Sequence, residues 1–127
     1  MKKILVTGSR NWANQTFLFN TLDNLFPATR GRHIMIHGAC EYGGADRLAG
    51  FWAESRGWWV CSCPAEKNEA GRIFGAARNL DMARVFQPDR VIAFPLGVSR
   101  GTQDMIRVAR QLGIQVDVFG PDAKIYQ

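Results

Sequence analysis

The chain has no apolar run approaching the roughly 20 residues that span a bilayer. Ile4-Leu5-Val6 is also too short for the core of a secretory signal. Both absences point to a cytosolic protein with no membrane partner. Cysteine is scarce, with Cys40, Cys61 and Cys63 alone. An odd count in a chain long enough to bury a core excludes a disulfide framework. Cys61-Ser62-Cys63 lacks CxxC spacing and a second ligand pair, and His33 and His37 form no motif with it. The thiols therefore read as buried apolar groups, and no metal is expected. No Pro/Ser-rich linker, low-complexity tract or fixed-period repeat interrupts the 127 residues, so residues 1–127 are expected to form one domain.

Disorder is excluded by ordinary globular usage, 46% hydrophobic and 21% charged residues. Sixteen basic residues against 11 acidic ones give a net charge of +5, which favours anionic partners. The basic residues are scattered and form no stripe. A phosphate-bearing small molecule accounts for this charge as well as nucleic acid does, and nucleic acid is the less favoured partner.

Short apolar runs alternate with amphipathic stretches. Lys3 to Thr7 reads as a buried strand, closed by a turn at Gly8-Ser9-Arg10-Asn11. From about Gln15 to Phe26, Phe17, Leu18, Thr21, Leu22 and Leu25 share a helical face that Pro27 ends. His33 to His37 is a second strand. Between Ala45 and Arg56, Leu48, Ala49, Trp52 and Ala53 recur at helical spacing, with Gly57 just past the end. Trp58 to Cys63 is a third strand, and a helix is expected near Ile73 to Phe86. Arg90 to Phe94 is a fourth strand. Thr102 to Leu112 is a helix with Met105, Ile106, Ala109 and Leu112 inward, and Ile114 to Phe119 is the last strand. Strict strand–helix alternation with continuously apolar strands predicts an α/β fold: a three-layer, Rossmann-like, doubly wound parallel sheet of about five strands. Right-handed crossovers place every strand-to-helix loop on one edge, where ligands bind.

Three of those loops carry glycine. The first is Thr7-Gly8-Ser9-Arg10; the second joins His37-Gly38-Ala39 to Gly43-Gly44-Ala45-Asp46; the third is Pro95-Leu96-Gly97-Val98-Ser99-Arg100-Gly101-Thr102. Glycine admits close backbone approach, and helix-start amides favour an anion. Ser9, Ser99 and Thr102 offer hydroxyls, and Arg10 and Arg100 offer charge. Neither GxGxxG nor GxxxxGK[ST] is present, which excludes the dinucleotide fingerprint and the P-loop. Trp12 either stacks on a ligand ring or covers the first helix. Arg78-Asn79, near the start of a helix, is either a solvated face or a hold on phosphate or ribose.

With these residues in view, the sequence resembles the SLOG superfamily, which contains the Lonely guy phosphoribohydrolases and DNA-processing protein A. It is most similar to the small YspA-like members met in phages and bacteria. The matching pieces run in order along nearly the whole chain. They are Val6-Thr7-Gly8-Ser9-Arg10-Asn11-Trp12, His37-Gly38-Ala39 with Gly44-Ala45-Asp46 and Leu48-Ala49, Ala77-Arg78-Asn79 with Met82, Phe94-Pro95 with Gly101-Thr102, and Asp104-Met105. The resemblance implies nucleotide-like ligands and homodimers or higher homo-oligomers formed through helices, for which Phe51, Trp52 and Phe74 offer an apolar face. Lonely guy enzymes cleave an N-glycosidic bond with an arginine in RKxxM and a glutamate closing PGGxGTxxE. Arg78 matches that arginine, whereas Met105 occupies the glutamate position and the nearest acid is Asp104. One helical step turns a side chain by about 100°.

The expected function is therefore binding of a nucleotide or ADP-ribose-like phosphate ligand, as a sensor or sequestering protein, without a cofactor. The expected site residues are Gly8, Ser9, Arg10, Trp12, Gly38, Ala39, Gly44, Asp46, Arg78, Asn79, Pro95, Gly97, Arg100, Gly101 and Thr102. The alternative is a nucleoside-monophosphate N-glycosidase in which Arg78 and Asp104 are catalytic, with Glu41 or Asp46 as substitute carboxylates.

Overall fold

Ile4, Leu5 and Val6 are wholly buried because their strand, Lys3–Gly8 (β1), lies mid-sheet with both faces covered. The computed structural model that shows this describes residues 1–27, 33–39, 43–71 and 75–126. In chain order the remaining elements are Gln15–Leu25 (α1), Ile34–His37 (β2), Ala45–Ser55 (α2), Trp59–Ser62 (β3) and Gly75–Phe86 (α3). Arg90–Phe94 (β4), Arg100–Gln111 (α4) and Gln115–Val118 (β5) follow, and a 3-10 turn spans Ala123–Tyr126. The sheet order is β3-β2-β1-β4-β5, and every pairing is parallel. The α/β, Rossmann-like architecture expected from the sequence is the one observed.

Side-chain alternation divides the core. Ile4, Val6, Met35, Ile92 and Phe94 face α1 and α2, packing on Leu18, Leu22, Ala49 and Trp52. Leu5, Ile36 and Val91 face α3 and α4, packing on Met82, Met105 and Ala109. Each fully buried Val, Leu, Ile, Phe or Met among them contributes about 1.5–3 kcal/mol. Asn14 starts α1 by accepting the Phe17 amide at 3.0 Å. No helix among the described residues is long and apolar enough to cross a membrane.

Some expectations shift. Helix α4 begins at Arg100, two residues earlier than its apolar periodicity suggested, and ends before Leu112. Leu112 is 44% exposed because the helix has already ended when the chain reaches it. Trp52 belongs to no surface: it is wholly buried, with its indole N–H donating to Asp23 at 2.9 Å. Phe51 beside it is 60% exposed. Phe74, Cys40, Glu41 and the expected helix start at Ile73 lie outside the described residues.

The topology positions a site. From β1 through β2 to β3 the chain steps toward one edge, then crosses back so that β4 lies on the far side of β1. Loops leaving β1 and β4 diverge at this switch point, which opens a crevice at the carboxyl ends of the strands.

Candidate functional site

That crevice is a cleft of about 620 Å³ walled by the loops after β1, β2, β3 and β4. The β1 loop supplies Gly8, Ser9, Arg10 and Asn11. A Cβ on Gly8 would lie 2.5 Å from the Ala45 Cβ and 2.7 Å from the Phe94 carbonyl, so the strand end tolerates no side chain. The Ser9 amide donates to Phe94 O at 3.0 Å, while Ser9 O accepts from Trp12 and Ala45. The first loop is thereby fastened to β4 and to the start of α2.

The β2 side is built from internal polar contacts. Gly44, at φ +76°, sits so close beneath the first loop that a Cβ would press into Ser9 O and Arg10 Cα. Gly44 thus serves loop packing and is not part of the cleft surface. Asp46, buried in the first turn of α2, accepts the Gly38 amide at 3.1 Å. The Ala39 amide donates to His37 Nδ1 at 3.0 Å, and Ala39 itself is held at φ +50°, a strained conformation for an L residue. Because Nδ1 accepts, the proton of neutral His37 is on Nε2, which donates to Ser62 Oγ at 3.1 Å. Burial, reinforced by Arg47 and then Arg78, pushes the His37 pKa down to about 4. His37 is therefore uncharged at neutral pH and acts as a fixed acceptor under the loop.

Arg78 spans two loops: Nη1 donates to Gly38 O at 2.7 Å and to Cys63 O at 3.2 Å, and Nε donates to Asn79 Oδ1 at 3.0 Å. Its guanidinium forms part of the cleft wall. Asn79 is buried, and its amide donates to Gly101 O and to Asp104 Oδ2, each at 3.1 Å. That corrects its expected role, since both amide hydrogens brace α3 against α4 and none reaches the cleft. Asp104 is corrected likewise. It sits between Asn79 and Arg107, 2.5 Å from the latter, and does not line the cleft. Met105 is wholly buried in the core.

The β4 side is different in kind. Ser99 starts α4 without capping it; its hydroxyl pairs with the Thr102 hydroxyl at 2.9 Å, and the first turn carries no acid. The positive end of the helix dipole, with Arg100, Gly101 and Thr102, meets the cleft. Leu96 and Val98 form an apolar lip. Pro95 is buried behind the loop, and Gly97 has its amide and carbonyl bonded to Asp122 and Tyr126, so neither is a lining residue.

Trp12 is the clearest correction. It is 4% exposed, its ring centroid lies 5.4 Å from Phe94 and 5.8 Å from Phe17, and its indole N–H donates to Asn14 O at 3.0 Å. It covers the first helix and offers no face to a ligand. Sequence reasoning missed Pro64, Ala65 and Lys67, which close the cleft from the loop after β3. Their signal was topological: every strand-to-helix loop reaches this edge. Among the described lining residues the cations are Arg10, Lys67, Arg78 and Arg100, and the carboxylate is Asp46. Such a balance favours an anion.

Residues 2–69, from β1 through the segment that follows β3, match the family profile described as the YspA, cpYpsA-related SLOG family. Over 126 residues the chain is also 35% identical to the gene 61 protein of Mycobacterium phage D29, covering 94% of this chain and 98% of that protein. The chain belongs to the YspA, cpYpsA-related SLOG family. The family match contains the β1 and β2 walls and Lys67, whereas the β4 loop and α4 lie beyond residue 69. In this SLOG protein the two halves of the cleft thus come from different parts of the chain.

Proposed function

We propose that the cleft binds a nucleotide or nucleotide-derived, ADP-ribose-like ligand through its phosphate, and that the protein acts as a sensor or sequestering module. The observation that carries this reading is the uncapped start of α4 facing a cleft with cations at Arg10, Lys67, Arg78 and Arg100. The cleft is of ordinary size for a small-molecule site, and membership in a SLOG family supports a nucleotide-related ligand. Gly8 and Ala39 shape the floor, the paired hydroxyls of Ser99 and Thr102 lie at the helix start, and Arg100 and Gly101 meet the phosphate.

Cleavage of an N-glycosidic bond is the second reading, and Asp46 is the observation that favours it. This acid is buried at the cleft wall, whereas Asp104 is turned toward Arg107. A carboxylate in such a place suits an oxocarbenium-like transition state. Native mass spectrometry of freshly purified protein, followed by a thermal-shift screen with AMP, ADP and ADP-ribose, tests both readings. Retained ligand or a shift without released base supports binding; free base in the incubation, lost in Asp46→Asn, supports cleavage. No shift with any phosphate-bearing ligand, together with salt-sensitive DNA binding, would reject both.

A further inference from the structure

The β4 side of the cleft is held by a segment distant in the chain. After β5 the backbone passes through Gly120 into the 3-10 turn Ala123–Tyr126 and returns beneath the β4–α4 loop. There the Tyr126 hydroxyl donates to Gly97 O at 2.6 Å and accepts the Ser99 amide at 3.0 Å. The Asp122 carboxylate accepts the Gly97 amide at 2.6 Å. Tyr126 is itself buried, clustered with Ala93 and Ile106, so its hydroxyl projects from a fixed base. Neither Asp122 nor Tyr126 lines the cleft, but Leu96, Val98 and Ser99 do.

We infer that Tyr126 and Asp122 are positioning residues: together they fix residues 96–99 and so aim the amides at the start of α4 into the cleft. This rests on the reading of the cleft as a phosphate site. Among the described residues, apolar packing holds the tip of the loop weakly, since Val98 is 86% exposed, while Leu96, 40% exposed, and the Ser99–Thr102 hydroxyl pair add contacts near its two ends. A loop bonded only at its ends would sample many conformations, and each binding event would carry the cost of ordering it. Three hydrogen bonds, two of them from the packed Tyr126, reduce that cost beforehand. The two residues raise affinity without touching the ligand.

The test combines amide hydrogen exchange by NMR with titration of AMP, ADP-ribose and inorganic phosphate by calorimetry. The variants are Tyr126→Phe, which keeps the ring, Asp122→Ala, and Asp122→Asn, whose amide oxygen still accepts. We expect exchange at Ser99 in Tyr126→Phe and at Gly97 in Asp122→Ala to rise at least about tenfold, with β1 and β4 amides unchanged. AMP affinity falls about tenfold in both and returns toward wild type in Asp122→Asn. Unchanged exchange at Ser99 and Gly97 overturns the inference, as does a uniform rise across the sheet. Faster loop exchange with wild-type affinity overturns this inference alone. Failure of the wild type to bind any of the three probes overturns the phosphate reading itself, while the Ser99 result still judges the hydroxyl as a clamp.

Discussion

The two sides of the cleft handle polar groups in opposite ways. On the β2 side, Gly38, Ala39, His37, Asp46, Arg78 and Asn79 bond chiefly to one another and to neighbouring backbone. On the β4 side the loop is bonded from behind, and the helix start turns toward the cleft. One wall is a frame of internal bonds that includes the charge of Arg78; the other presents a helix start with Arg100. The difference teaches that a glycine-rich loop is no single device, because the same composition serves tight packing at Gly44 and an uncrowded helix start at Gly101.

Breaking the shape-forming wall should have the largest effect on stability. Gly44→Val adds a branched side chain at positive φ against Ser9 and Arg10. We expect a loss of about 3 kcal/mol or more, read from urea denaturation. A loss under about 1 kcal/mol would mean that the first two loops are not packed as described.

Acid should act on the same wall. The pKa of His37 is about 4 when folded and near 6.5 when unfolded. The unfolded chain therefore binds the extra proton between these values, and stability falls as pH drops from about 6.5 to 4, by up to about 3 kcal/mol. His37→Gln should flatten that part of a stability-against-pH profile. Persistence of the slope in the variant would assign it to other groups.

A smaller loss is expected for Asn79→Ala, which leaves Gly101 O and Asp104 without the amide between them. About 2 kcal/mol is the expected cost, visible as a lower denaturation midpoint. Asp104→Asn should leave ligand affinity near wild type, since Asp104 does not line the cleft. Loss of base release in Asp104→Asn, with ligand affinity retained, would instead make Asp104 catalytic.

The smallest stability effect belongs to the opposite wall. Arg100→Ala, at an exposed helix start, should change stability by less than about 0.5 kcal/mol. Its AMP affinity should nevertheless fall about tenfold, as for one lost charge-assisted contact. Equal losses in stability and affinity would erase the contrast between the walls.

Much of the fold was legible because central parallel strands are buried on both faces and so read as unbroken apolar runs, as in Ile4-Leu5-Val6 and Val91-Ile92-Ala93. The edge strands β3 and β5 are half-exposed, and β3 was expected a residue too long at each end. The loops that wall the cleft were legible from topology. The aim of individual side chains was not. Whether Trp12 faces a ligand or Phe94, and whether Asn79 reaches out or toward Gly101, depends on partners distant in the chain. Local spacing carries no record of those partners. For the same reason Gly97 looked available until Asp122 and Tyr126, 25 and 29 residues onward, were seen to bond it.

The burial of Met105 bears on how this chain could acquire a glutamate-dependent activity. By the resemblance to Lonely guy enzymes Met105 would fall at their glutamate position, yet its side chain packs wholly within the core among Leu5, Met82 and Ala109. A single codon change to glutamate would bury a carboxylate there, which costs several kcal/mol or forces it to remain protonated. Glutamate at position 105 is therefore closed as a route to an acid in the cleft. An acid aimed at the cleft must come from a change in the register of α4, by insertion or deletion ahead of it, or from another loop altogether.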